Sequence, residues 1–232
     1  MWKWIRILIL CLCLPAAAGA GDRVDLLVYR VKEPGLAPYV SRILVSDAFV
    51  RIDEGAASPN GYTLYNRVSH RIYNVDPEGE SVLVLEPPLR QPRPPEGFLL
   101  EQRLDADPDA PPLGGRPVHR LELRAQGRVC RVLRVVPGLM PRAVQGLREL
   151  RLALARLQGV PDEEEARRID PCELAEYHYA PERALSHGLP VLDRMGERSR
   201  LLLDYDEAFE APETLFQIPE TYRRAAPPPL GG

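Results

Sequence analysis

Between residues 25 and 86, turn-forming residues cut the chain into six short β-prone segments, a pattern that limits the fold more than any other feature. The segments are 26–31, 40–45, 48–53, 62–66, 71–75 and 81–85. Glu33-Pro34-Gly35, Ser58-Pro59-Asn60-Gly61 and Asp76-Pro77-Glu78-Gly79 supply turns between them. Links this short cannot hold the crossovers that parallel strands need, so the spacing predicts an antiparallel meander. Apolar residues fall on both faces of these strands, as in Leu64-Tyr65, Ile72-Tyr73 and Val82-Leu83-Val84-Leu85. A sheet with one wet face would alternate apolar and polar residues. Both faces are therefore expected to be covered, or one of them to line a groove.

Residues 86–117 contain nine prolines, too many for a central strand, since proline removes ladder donors. A surface excursion is expected there, with room for one strand around Phe98-Leu99-Leu100 and Leu104. Residues 118–136 predict a hairpin turning at Gln126-Gly127. Pro141 then suits a first helical turn, and Val144, Leu147, Leu150 (or Arg151), Leu154 and Leu157 recur at helical spacing up to a stop at Gly159. This amphipathic stripe is expected to pack on the sheet. A short acidic helix after Pro161, strands at 188–192 and 200–205, and a terminal segment at 215–219 complete the pattern.

Residues 1–20 have the form of an export signal. Lys3 and Arg6 give a positive start, an apolar run follows, and Ala18-Gly19-Ala20 offers a cleavage site. The run falls short of the roughly 20 apolar residues that span a bilayer. Cys11 and Cys13 lie inside this leader, each preceded by leucine rather than by the small residue a lipoprotein signal needs. Cys130 and Cys172 remain in the mature chain. An even pair in an exported protein is best read as one disulfide, the alternative being two separate buried thiols. The expected organisation is a signal peptide at 1–20, one domain at 21–224 and a disordered tail at 225–232. A bacterial periplasm is the expected compartment, with secretion as the alternative. No transmembrane segment is expected in the mature chain.

A formal net charge of −3 argues against nucleic-acid binding, which wants a basic footprint. No catalytic constellation stands out: Ser186-His187 lacks a nucleophile elbow, and Asp204 with Asp206 fits a solvated strand edge. Cys172, His178 and His187 match no standard zinc spacing. No enzyme activity, cofactor or metal is expected.

The closing Phe216-x-x-Pro219-x-x-Tyr222 pattern, the Asp193-x-x-Gly196 turn and the strand texts Phe49-Val50-Arg51-Ile52-Asp53, Thr63-Leu64-Tyr65-Asn66-Arg67 and Ile72-Tyr73-Asn74-Val75 form a suggestive set. In outline the chain resembles the periplasmic lipoprotein-carrier superfamily, called LolA-like or LolB-like, or an uncharacterised relative of it. That resemblance implies an open antiparallel half-barrel with a hydrophobic cavity for lipid chains. The carriers' Pro-x-x-Phe-Arg-Trp strand is missing, which points to a relative with a different or lost ligand.

The expected fold is thus α+β: a curved antiparallel sheet, an open half-barrel, covered by one long amphipathic helix. The expected function is non-enzymatic binding of an acyl chain or lipoprotein between sheet and helix. Leu64, Ile72, Val84, Leu147 and Leu154 are the candidate ligand contacts. The alternative is an envelope-associated interaction protein with no ligand cavity, its partner another envelope protein.

Overall fold

The computed structural model describes residues 23–54, 61–90 and 93–227. The signal at 1–20 and most of the tail at 225–232 lie outside the described residues. Twelve strands form a single sheet: β1 (Arg23–Lys32), β2 (Tyr39–Val45), β3 (Phe49–Asp53), β4 (Tyr62–Asn66), β5 (Ile72–Asp76), β6 (Ser81–Leu85), β7 (Leu100–Ala106), β8 (His119–Ala125), β9 (Arg128–Val136), β10 (Leu189–Met195), β11 (Arg198–Glu210) and β12 (Arg223–Ala225). Their spatial order is β12-β6-β5-β4-β3-β2-β1-β11-β10-β9-β8-β7. Two antiparallel meanders, β1 to β6 and β7 to β11, are thus joined side by side through β1 and the long β11. The short β12 pairs in parallel with β6, making the sheet mixed.

This topology explains the proline-rich stretch. The chain leaves β6 near one end of the sheet and enters β7 at the other. Ten inter-strand steps amount to about 48 Å laid flat. The 14 residues between Leu85 and Leu100 reach at most about 50 Å. The link is shorter in reach than that maximum, because it turns where the Phe98 amide donates to the Pro95 carbonyl at 3.1 Å, so the sheet cannot lie flat.

The helices are α1 (Pro141–Gln158), α2 (Glu163–Arg168) and a short turn Pro171–Glu173 that runs into a π-helical turn, Leu174–Tyr179. The expected half-barrel under one long helix is overturned. An 18-residue helix is about 27 Å long and cannot cover twelve strands. It packs on β1, β2, β3 and β10, while the π-helical turn and a 3₁₀ turn at Arg183–Leu185 cover the sheet beyond it. The opposite face of β1 to β3 is covered by the C-terminal segment: Phe216 stacks on Phe49, and Arg51 donates to the Leu215 carbonyl at 2.6 Å. Two-sided covering is why these strands carry apolar residues on both faces.

The leucine stripe packs on the core through Val144, Leu147, Leu150 and Leu157, but most of the fully buried positions of α1 are small residues. Ala143, Gly146, Leu150 and Ala153 are its buried positions at helical spacing. Small side chains let the helix settle close to β2 and β3. A Cβ at Gly146 would lie 2.8 Å from Val45 Cγ1 and 2.9 Å from Val50 Cγ2. Gly to Ala inside a helix ordinarily stabilises by about 1 kcal/mol. Here the sign should reverse: Gly146→Ala is expected to lower stability by about 1–3 kcal/mol, as overpacking does, in urea unfolding. Equal or higher stability would show that the close approach carries no constraint.

Polar links from the sheet and its turns fix the helix. Met140, at its N-terminus, provides no side-chain cap. The buried Asp25 of β1 substitutes, accepting from the Ala143 amide at 2.9 Å. Further along, Arg67 donates to Glu149 at 2.7 Å and to the Ser46 carbonyl at 2.8 Å. Cys130 on β9 and Cys172 form a disulfide, with Cα atoms 5.1 Å apart.

Candidate functional site: a cavity beneath the main helix

Small residues hold one side of α1 near β2 and β3, and a neighbouring side lines a space shared with β1, β10 and β11. Leu147, Arg151, Leu154 and Gln158, spaced by four, three and four residues, share that side. Beneath them lies a cavity of about 320 Å³. Val31, Ile43, Ile52, Leu147, Leu150 and Leu154 form its apolar wall. Leu154 remains 41% exposed, so a large apolar side chain meets solvent at the cavity.

The polar wall is built around Arg131 of β9. Its guanidinium is buried and donates to Asp193 of β10 through Nε at 2.7 Å and through Nη2. Nη1 donates to Glu176 of the π-helical turn. Both carboxylates are buried. Burial alone would raise the Asp193 pKa, but the Arg131 hydrogen bonds outweigh it and hold the carboxyl below its ordinary value. A planar guanidinium can serve two carboxylates at once, which an ammonium cannot match in geometry.

Arg151 stands next to this triad in a different state. Among the described residues its guanidinium has no hydrogen-bond or ion-pair partner. Desolvation first, and then the positive charges of Arg131 and Arg200, push its pKa down to about 10. It remains a cation at neutral pH. Arg200 of β11 lies between Val31 and Asp193 in the strand register, which puts it on the same wall. It too has no ion-pair partner among the described residues. Arg198, nearby, donates to the Tyr177 hydroxyl at 2.8 Å. Five cations and three carboxylates line the cavity, an excess of two positive charges on a chain whose formal net charge is −3.

The candidate contacts divide. Leu147 and Leu154 line the cavity. Ile72 is fully buried in the core beneath α1, paired with Tyr65 and Leu85. Leu64, also buried, pairs with Arg51 and Tyr73, and Val84 with Tyr73. That register places Leu64 and Val84 on the sheet face opposite the cavity. Arg131, Arg151, Glu176 and Arg200 went unrecognised. The one available signal was a cation, Arg151, inside a leucine stripe.

Among the described residues, no cluster of three His, Cys, Asp or Glu side chains is arranged to hold a metal. Asp204 and Asp206 are exposed and accept from the Tyr205 and Ala208 amides at 2.9 and 2.8 Å. No described helix is long and apolar enough to cross a membrane.

Fold and site define a strand-dominated protein with one mixed sheet and a cavity whose walls are apolar on one side and cationic on the other. No family model matches the chain, and no curated protein matches it. Among solved structures it is similar to an uncharacterized conserved protein from Thermus thermophilus, at 7% identity over 88% of this chain and 91% of that one, with a TM-score of 0.46.

Proposed function

We propose that this chain is an exported, non-enzymatic periplasmic protein that holds an acyl chain, free or on a lipoprotein, between α1 and the sheet. The cavity carries this reading. Its 320 Å³ falls within the range of small-molecule sites, and its apolar wall meets solvent at Leu154. The signal-like residues 1–20 and the Cys130–Cys172 bridge support an oxidising compartment. The LolA-like or LolB-like resemblance supplies the class of ligand.

The test uses the neutral fluorophore N-phenyl-1-naphthylamine. Its emission should rise saturably, at one site per chain. Leu147→Trp, which fills the cavity, should weaken binding about tenfold or more, equivalent to about 1.4 kcal/mol. Leu154→Trp gives a second variant at an exposed position. No saturable binding by the wild type would favour the rival, an envelope-associated protein that works through its surface. Native mass spectrometry of protein taken from the periplasm should also show adducts of acyl-chain mass.

A further inference from the structure

We propose that the cavity selects a single-chain amphiphile with an anionic head, a carboxylate or a phosphate, and that Arg151 and Arg200 receive that head. This rests on the reading of the cavity as a ligand site and adds the chemistry of the ligand's polar end.

Three observations carry it. First, both carboxylates near Arg151 are already engaged. Asp193 takes two donors from Arg131 and Glu176 takes a third, so the triad keeps one net negative charge, which Arg151 offsets without a hydrogen bond, and the wall as a whole still carries an excess of two positive charges. Second, Arg151 sits beside Arg131 and Arg200, and like charges in a desolvated place repel. Glu176 and Asp193 offset the Arg151 charge, but its desolvated N–H groups meet no acceptor among the described residues, and unpaired donors out of water are costly. An anion entering the cavity would relieve that cost, forming charge-assisted bonds that a guanidinium accepts in bidentate geometry. Third, apolar side chains occupy the same helix side as Arg151. Leu147 lies one turn before it and Leu154 one turn after, so head and tail contacts are contiguous. A neutral lipid would leave Arg151 desolvated and unpaired, and a cationic amphiphile would be repelled.

Four ligands with the same twelve-carbon tail separate the possibilities: dodecanoate, dodecyl phosphate, 1-dodecanol and dodecyltrimethylammonium. Each is titrated calorimetrically below its micelle concentration, alongside N-phenyl-1-naphthylamine as a headless reference. In the wild type the two anions should bind about tenfold or more tighter than dodecanol, and the ammonium weakest. The ranking of carboxylate against phosphate identifies the head. Arg151→Gln combined with Arg200→Gln should abolish the anion preference, so that dodecanoate and dodecyl phosphate bind no tighter than dodecanol, with saturable naphthylamine binding showing that the cavity persists. Arg200→Gln alone, at an exposed strand position, supplies a variant with little risk to folding and should reduce the preference. Equal affinities for all head groups in the wild type would overturn the proposal, and so would a preference that survives in the double variant. Naphthylamine binding without head-group preference overturns this inference and leaves the cavity reading standing. Failure of every ligand overturns both.

Discussion

Cys130→Ser should lower the unfolding free energy by about 4 kcal/mol, the chain-entropy value for a bridge that spans 42 residues. For a domain of this size that corresponds to a Tm about 8–16 °C lower. The bridge ties β9 to the turn that begins at Pro171, in a small cluster with Ala125 and Ala175 that is separate from the main core. Phe98 and Leu100 pack on that cluster, and at its exposed edge Arg128 donates to Asp170 at 2.6 Å. Cys172→Ser should cost as much as Cys130→Ser, and the double variant no more than either, because all three remove the same link. Reduction of the wild type should bring its Tm down to theirs. Thiol labelling of both cysteines in the native protein, or an unchanged Tm in the variants, would contradict this.

Arg131→Met should cost about 3 kcal/mol, at the lower end for breaking a buried ion pair because Arg151 stands close by. The loss comes less from the missing attraction than from Glu176 and Asp193, left as buried carboxylates without their donor. Adding Glu176→Gln and Asp193→Asn to Arg131→Met should recover part of the stability, since no uncompensated carboxylate then remains.

The pH response offers a sharper test. In the wild type the Asp193 carboxyl titrates below its unfolded value of about 3.9, so its contribution is complete above that pH and fades as the pH falls through the folded value. In Arg131→Met the opposing effect of burial dominates and raises the carboxyl pKa in the folded state. Stability of that variant should then gain more from acidification between about pH 7 and 5 than the wild type, in which Asp193 contributes no slope over that range. Parallel pH profiles for the two proteins would show that Arg131 does not control the carboxylates.

Much of the local structure was legible in the chain. The six segments up to Leu85, the hairpin around Gln126-Gly127 and the helix from Pro141 to a stop at Gly159 all follow from features a few residues apart. The disulfide was legible as well, because only two cysteines lie beyond residue 20. The covering of the sheet was misjudged because strand count and helix length must be compared across the whole molecule. How closely α1 approaches the sheet was not legible, because that distance depends on which small residues meet which strands. Leucines dominate the pattern, yet Gly146 and the flanking alanines settle how near the helix lies to Val45 and Val50. That division of roles frees Leu147, Arg151 and Leu154 to line a cavity.

The chain by itself determined its strands, its turns, its main helix and its cross-link, since each depends on residue type, periodicity or cysteine number. Only the tertiary structure decided that β11 inserts beside β1, that Arg131 meets Glu176 45 residues away and Asp193 62 residues away, and that Arg151 joins them at the cavity wall. Those outcomes depend on which strands become neighbours. Neighbour choice is a balance of many long-range contacts, and no short stretch of sequence contains it.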